Sequence, residues 1–270
     1  MKIYPSNDVL ASWEQIYVPN RDIFFISKKL LEENSELFLD TLNFERKQFF
    51  QHSEYNTLQY NNFYGYWNIT KKFEYCIVAM PGWYEQLETD IQQKILEEQI
   101  ESKSYSVINN EYILTNNKWD SMSTRERHEY FNSTLKTLND NEVLDIPDML
   151  PNYIKEVANT YSKLSGSNCF GVVLFTITKN SWFLNEWVYA ENLMWTMEEM
   201  KYIEISEEPN EGDILVWYQD NKPFHAAVCV GDNLYLNKNS QMIWSPIKLV
   251  TLETIDNDFD DMIFKVFRQY

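Results

Sequence analysis

Residues 165–175 constrain the fold of this chain more than any other stretch. Small and polar residues run as far as Asn168, and an apolar run begins directly at Cys169. Such a junction predicts the N-terminus of a buried helix, with Asn168 or Ser167 as its cap. A helix N-terminus favours negative charge, so we expect the pKa of the Cys169 thiol to lie below its ordinary value of about 8.5.

Cys169 is therefore a candidate nucleophile. The alternative is a small core residue, which is the usual role of a lone cysteine in an apolar run. The other two cysteines, Cys76 and Cys229, lie inside apolar runs and fit that structural role better. Three widely spaced cysteines without a CxxC pair predict no disulfide framework, no zinc or other metal site and no cofactor.

The charge of the chain excludes several classes of partner. Its formal net charge is -18, which repels phosphate backbones and anionic membrane surfaces. No apolar run reaches the roughly 18 residues needed to cross a membrane. Residues 1–8 lack the basic and apolar regions of a signal peptide, so we expect a cytoplasmic protein that binds neither nucleic acid nor membrane.

The periodicity of apolar residues predicts helices over residues 27–50, 87–102 and 123–138 in the first half. Residues 73–80, rich in aromatic and β-branched side chains, predict a strand. The region around Pro147 is polar and broken by prolines. It predicts a domain boundary there, giving an N-terminal α+β domain of residues 1–146 and a second domain of residues 147–270.

The second half is predicted to contain helices and then several short strands. The helices are expected over residues 151–165, beside the cysteine helix, and over 182–200; the strands are expected at 214–218, 225–230 and 234–236, at Ile243, and at 262–268. That order predicts an α+β fold with helices packed against one face of an antiparallel sheet.

His225 is the candidate partner of Cys169. Of three histidines, His52 and His128 lie among polar residues, whereas His225 opens an apolar strand. Asn237 follows twelve residues later across a turn, so antiparallel pairing predicts that it lies beside His225 and orients the imidazole. Asn239 lies on the same face and is the reserve candidate. The alternatives are a partly buried structural histidine and a merely polar hairpin.

These residues resemble the NlpC-type cysteine peptidases of the papain-like superfamily. The resemblance rests on Cys169 at a helix start, a Gly212-Asp213 turn, His225 at a strand start, a Gly231-Asp232 turn and Asn237. It covers roughly residues 151–270 and does not extend to the first half. The order Asn168-Cys169-Phe170-Gly171 departs from the aspartate, cysteine, serine and glycine usual in the family.

The resemblance implies a bacterial papain-like cysteine hydrolase, a peptidase or amidase. In it the Cys169 thiolate attacks a carbonyl carbon, His225 moves the proton, and Asn237 holds the ring. The implied partner is a small peptide, a cell-wall-derived peptide or another acyl substrate. A tyrosine that assists in the family has a possible counterpart in Tyr161. The alternatives are a non-catalytic binding or interaction protein on the same fold, and an acyltransferase using the same cysteine.

The first half is rich in aromatic residues, which make up 16% of the whole chain. Two interpretations stay open for them: a ligand groove or, as aromatic residues at this density usually form, a packed core. The residues concerned are Phe63, Tyr64, Tyr66, Trp67, Trp83 and Tyr84.

Overall fold

The computed structural model describes all 270 residues and divides them into two compact units. One unit is residues 13–131, and the other joins residues 1–12 to residues 132–270. The predicted boundary differs, because residues 132–146 belong to the C-terminal unit. Their hydrogen bonds give the reason: the amino group of Met1 donates to the carbonyl of Val143 (2.7 Å), and Lys248 binds Asp140. The prolines near Pro147 mark a loop within that unit.

The first half contains eight helices and five strands. Helix α1 and helix α8 each cross a division between the units. The elements are α1 (Asn7–Ile16), β1 (Asp22–Ile26), α2 (Lys28–Glu33), β2 (Leu42–Glu45), α3 (Arg46–Phe49), α4 (Leu58–Tyr64), β3 (Tyr75–Ala79), α5 (Trp83–Gln86), α6 (Thr89–Ser102), β4 (Val107–Ile108), β5 (Tyr112–Ile113), α7 (Asn116–Ser121) and α8 (Thr124–Leu138), with 3-10 turns at Ser35–Phe38 and Tyr66–Asn68.

The unit of residues 13–131 is built on a three-stranded antiparallel sheet in the order β1-β3-β2, against which α6 packs. The strand predicted over residues 73–80 is confirmed as β3. The single helix predicted over residues 27–50 is wrong, because α2 ends at Glu33 and the chain turns into β2. Pairing of β2 with β3 outweighs the helical spacing of the leucines and phenylalanines.

The aromatic residues of this unit form mostly core. Phe63, Tyr64 and Tyr66 are buried, whereas Trp67 is half exposed. Trp83 and Tyr84 contact the ring of buried Phe24, with ring centroids 5.8 and 5.4 Å apart. The packed-core interpretation therefore fits most of the set, and Trp67 is the exception.

The second half contains four helices and six strands. They are α9 (Asn152–Lys155), α10 (Cys169–Thr178), α11 (Ala190–Glu199), β6 (Tyr202–Ile205), β7 (Ile214–Gln219), β8 (Lys222–Gly231), β9 (Leu234–Asn237), β10 (Lys248–Thr251), α12 (Leu252–Asp258) and β11 (Ile263–Gln269), with a 3-10 turn at Ser181–Asn185.

These strands form one antiparallel sheet in the order β10-β9-β8-β7-β11-β6, so the predicted α+β class is confirmed. Four of the predicted strands are confirmed as β7, β8, β9 and β11. Ile243 lies outside any strand, and β10 and β6 are the edges instead.

The helix predicted over residues 151–165 is wrong, because α9 ends at Lys155. Asn159 takes a left-handed conformation (φ 60°), and its side chain donates to the carbonyl of Leu144 (2.7 Å) and accepts from the amide of Leu249 (3.1 Å). Thr160 then forms a β-bridge with Ile247. Asparagine tolerates this backbone conformation better than most residues, and the hydrogen bonds to the neighbouring chain favour it over a helix.

Both faces of the sheet carry a helix, rather than the single face that was predicted. We call the side covered by α10 the α10 face; its buried residues include Val216, Ala226, Val228 and Leu236, together with Cys169. We call the opposite side the α12 face; its buried residues include Leu215, Trp217, Ala227, Cys229, Tyr235 and, from α12, Ile255. Side chains alternate between the two faces along each strand. None of the helices has the length and apolar character needed to span a bilayer.

Candidate functional site

Cys169 is the first residue of α10, as the sequence junction predicts. The Asn168 side chain caps the helix: its Oδ1 accepts from the amide of Gly171 (3.0 Å). The same side chain accepts from the amide of Val188 (3.3 Å) and donates to its carbonyl (2.8 Å). Asn168 thus connects the start of α10 to the backbone of Val188. Ser167 does not cap the helix; its buried hydroxyl has no hydrogen-bond partner.

A close backbone crossing explains the glycine in the first turn of α10. A Cβ atom added at Gly171 would lie 2.5 Å from the carbonyl oxygen of Phe183 and 3.3 Å from that of Glu186. The chain after α10 therefore passes directly over the first turn of this helix. A side chain larger than hydrogen at this position would force the two backbones apart, and the geometry around Cys169 would change with them.

The thiol of Cys169 is only 9% exposed, and burial raises its pKa to about 11. The expected lowering by the helix N-terminus is therefore wrong. Backbone N–H groups of Ala226, Phe170 and Cys169 itself, and the charge of Lys238, all act to lower the pKa. They are outweighed because a thiolate loses more solvation energy in this buried position than these groups return. Cys169 is therefore a protonated thiol at neutral pH.

His225 and Asn237 lie in direct contact, which is the position that antiparallel pairing predicts. Nε2 of His225 and Oδ1 of Asn237 are 2.7 Å apart, and both residues are buried. Val228 and Leu236 lie opposite each other on the α10 face. Because side chains alternate along a strand, His225 and Asn237 lie on the α12 face. Asn239 lies on the same face and accepts from Nδ2 of Asn237 (2.6 Å).

Carboxylates at the end of this network fix the protonation of the imidazole. Nδ2 of Asn239 donates to Asp258 (2.8 Å) and Asp140 (3.3 Å), and ionised carboxylates can only accept. The Asn239 amide oxygen must then accept from Asn237, and the Asn237 oxygen must accept from His225. The network therefore assigns the proton of neutral His225 to Nε2 and leaves a lone pair on Nδ1.

Burial lowers the pKa of His225 to about 4, with the hydrogen bond to Asn237 opposing the shift. The imidazole stacks on Phe259, with ring centroids 4.2 Å apart and planes inclined by 24°, and it also contacts Trp217. These rings exclude water from the imidazole and disfavour its charged form. The histidine is neutral at physiological pH and is able to accept a proton at Nδ1.

Cys169 and His225 are not in hydrogen-bond contact. His225 lies opposite Trp217 on the α12 face, whereas the next residue, Ala226, lies on the α10 face, where its backbone acts to lower the pKa of Cys169. Cys169 therefore belongs to the same face as Ala226, and His225 is the residue before Ala226 in β8. The structure brings together the predicted base and its orienting residue but places the thiol on the other face. Tyr161 is buried, and its hydroxyl donates to the carbonyl of Ile3 (3.5 Å).

Two residues of this site were missed by the sequence analysis. Lys238 is 1% exposed and donates from Nζ to the carbonyls of Met242 (3.0 Å) and Ser245. Strand alternation predicts that Lys238 faces away from Asn237 and Asn239, but nothing in the sequence predicts that this lysine is buried. Asp140 binds Lys248, Ser245 and Asn239, and the predicted domain boundary had placed it in the other domain.

Two cavities, of about 440 and 200 Å³, lie at the other end of β8. Both contact Cys229, Val230 and Glu211. Neither is lined by Cys169, His225 or Asn237. No three histidine, cysteine and carboxylate side chains lie close enough together to hold a metal ion.

No protein-family model, curated protein or solved structure matches this chain.

Proposed function

We propose that the unit formed by residues 1–12 and 132–270 is a papain-like cysteine hydrolase that cleaves an amide bond through Cys169, His225 and Asn237. One observation carries the proposal: the hydrogen-bond network that ends in carboxylates holds His225 with its proton on Nε2 and its lone pair on Nδ1. This is the form of histidine that a cysteine nucleophile needs as its general base.

The reaction begins with proton transfer from the Cys169 sulfur to Nδ1 of His225. In the resting structure the imidazole lies on the α12 face and Cys169 on the α10 face, so this step requires the two side chains to come into contact. The thiolate then attacks the carbonyl carbon of the substrate. The N–H groups of Cys169 and Phe170, at the open start of α10, donate to the developing oxyanion. His225 returns the proton to the leaving amine, and water releases the acyl group by the reverse sequence.

The burial of the site limits the substrate class. Cys169 is only 9% exposed, so a small or narrow acyl group fits this site better than a folded protein does. The net charge of -18 favours neutral or cationic substrates over anionic ones. A short peptide or a peptide fragment of a cell wall is the class we propose.

The test is acylation of the native protein by p-nitrophenyl acetate, with intact-mass detection, followed by a screen of fluorogenic amides of short peptides. We expect one acetyl group on Cys169, its loss in Cys169→Ala, and normal acylation in Cys229→Ala. The second variant is the matched control, because it removes another buried thiol of the same unit. Equal acylation of the Cys169→Ala variant would overturn the proposal.

One observation favours a second function, a binding module without catalysis. The thiol is buried and its pKa is raised to about 11, as expected for a structural cysteine. In that case Cys169 reacts with neither the ester nor iodoacetamide until the protein unfolds. The acylation experiment therefore decides between the two functions.

A further inference from the structure

Asp22 is a buried carboxyl group in the unit of residues 13–131. It is the first residue of β1 and is 1% exposed. Its Oδ1 accepts a hydrogen bond from the amide of Asn116 (2.9 Å), the first residue of α7. Its other oxygen, Oδ2, is buried and has no hydrogen-bond partner. An ionised carboxylate has about four acceptor sites, so this group is poorly compensated in its charged form.

A second carboxylate is bound at the same place. Glu85 of α5 accepts a hydrogen bond from the hydroxyl of Thr115, the residue that caps α7. Thr115 and Asn116 are neighbours in the chain, so the two carboxyl groups are held by adjacent residues at the start of α7. Two negative charges this close repel each other, and the arrangement therefore favours a proton on the more buried one, Asp22.

The other ionisable groups around Asp22 do not compensate its charge. No cation is among the groups that act on its pKa. The guanidinium of the preceding residue, Arg21, donates to a backbone carbonyl (2.7 Å), and the ammonium of Lys118 in α7 lies 5.9 Å from the centroid of a tyrosine ring. Burial raises the pKa values of Tyr60 and Tyr64 in α4, so both are uncharged near neutral pH.

We propose that Asp22 is a proton switch for this unit: its neutral form keeps the starts of β1 and α7 packed together beside α5, and its ionisation loosens this contact. The neutral carboxyl can stay buried, whereas the ionised form favours states in which water reaches Oδ2. The proton is exchanged with solvent. The inference does not depend on the proposed hydrolase, because Cys169, His225 and Asn237 belong to the other unit.

The direction of the pH dependence follows from the burial of this group. Burial raises the pKa of Asp22 from 3.8 to about 7, and the charge of Glu85 acts in the same direction against the backbone N–H groups of Asn116 and Gly82. The folded unit therefore binds more protons than the unfolded chain between these two values. Its stability falls as the pH rises through this range, and the loss is complete above about pH 7.

The first test is a titration of the aspartate side-chain carboxyl carbons of the full-length protein by NMR. We expect one signal with a midpoint near pH 7, its absence in Asp22→Asn, and a lower midpoint in Glu85→Gln. The Glu85→Gln variant removes the charge but keeps an oxygen that can accept from Thr115. Asp90→Asn is the matched control, because it removes an exposed carboxyl group from α6 in the same unit and should leave the signal unchanged.

The second test measures the loosening itself through Cys76, which is buried in β3. Its rate of alkylation by iodoacetamide in the wild type is divided by the rate in Asp22→Asn at each pH, which cancels the pH dependence of the thiol. We expect this ratio to rise at least tenfold between about pH 5.5 and 8. Asp90→Asn should behave like the wild type, and the ratio for Cys229, in the other unit, should stay within about twofold.

Each outcome decides the matter. A midpoint below about pH 5 for every aspartate, or a Cys76 ratio that does not change with pH, would overturn the inference. If Asp22→Asn does not fold, Glu85→Gln takes its place as the reference. The wild type must then still show the signal that titrates near pH 7, and Glu85→Gln must move both this midpoint and the rise in Cys76 alkylation to lower pH. Unchanged values in that variant would also overturn the inference.

Discussion

The two faces of the six-stranded sheet hold different halves of the candidate site. On the α12 face, His225, Asn237 and Asn239 form a continuous hydrogen-bonded chain that ends at two carboxylates. On the α10 face, backbone N–H groups and the charge of Lys238 act to lower the pKa of the Cys169 thiol. The α12 face thus holds a connected polar network, and the α10 face holds a single thiol in a largely apolar core.

In the proposed mechanism, this difference gives the two faces different roles. An orienting group is useful only when it is rigid, and a fully satisfied buried network is rigid because breaking any hydrogen bond leaves a polar group unpaired. A nucleophile must change its charge during the reaction. Its surroundings must therefore tolerate both states, and backbone N–H groups and a titratable lysine do so better than a fixed ion pair would.

The largest effect should follow from removing the base of the α12 face. His225→Ala is expected to lower the rate of acylation of Cys169 by 10²- to 10⁴-fold, a range of order-of-magnitude values typical of the loss of a general base. The matched control is Cys229→Ala, which removes another buried side chain from the same strand and face. The measurement is the pre-steady-state burst with p-nitrophenyl acetate. Similar bursts in wild type and His225→Ala would show that the two faces do not cooperate.

The two faces should also lose stability in different pH ranges. His225 has a folded pKa lowered from 6.5 to about 4. The unfolded chain therefore binds more protons between these values, and stability falls as the pH is lowered from 6.5 to 4, by at most roughly 3 kcal/mol. Lys238 has a folded pKa lowered from 10.5 to about 7, so its contribution is lost as the pH falls towards 7.

Comparing the stability of one variant from each face with that of the wild type separates these two pH ranges. The stability difference between wild type and His225→Gln should change between pH 4 and 6.5, and that between wild type and Lys238→Gln between pH 7 and 10.5. Denaturant titration read by alkylation of buried Cys229 reports unfolding of this unit. A window shared by both variants would contradict the separation of the faces.

A smaller loss of activity should follow from removing Asn237, which holds the His225 imidazole, than from removing the imidazole itself. Asn237→Leu leaves the Nε2–H of His225 without its acceptor, so the imidazole is no longer held in one tautomer and orientation. We expect kcat/KM to fall about ten- to a hundredfold, the order of magnitude seen when a group that orients a metal-bound histidine is removed. Asn239→Ala, one step further along the network, should cost less. The reverse order would show that Asn239, the reserve candidate, is the orienting residue.

Local patterns in the sequence predicted one half of this site well. The polar-to-apolar junction located the helix start at Cys169, and the turn between two apolar strands set Asn237 beside His225. Both inferences depend on residues close together in the chain, where turn geometry and strand alternation decide the outcome. The same is true of the strands β7, β8, β9 and β11.

What the sequence did not predict depends on contacts between distant segments. The raised pKa of Cys169 comes from burial by α10, β8 and the segment after α10, none of which the local pattern specifies. Asp140 reaches the network from 99 positions before Asn239, and the burial of Lys238 depends on the carbonyls of a loop. Strand alternation does imply that neighbours His225 and Ala226 face opposite sides, and this signal was available in the sequence.

The smallest expected change in stability concerns Ser167 and Ser245, which differ in whether the side-chain hydroxyl has a hydrogen-bond partner. The hydroxyl of Ser167, two residues before the thiol, is buried without a partner, whereas that of Ser245 donates to Asp140 (2.9 Å). Removing an unpaired buried hydroxyl relieves a desolvation cost, so Ser167→Ala should leave stability unchanged or raise it by about 1 kcal/mol. Ser245→Ala removes a hydrogen bond to a carboxylate and should lower stability by about 1–2 kcal/mol. Chemical denaturation of the two variants measures both values, and a destabilised Ser167→Ala would mean that this hydroxyl has a partner in solution.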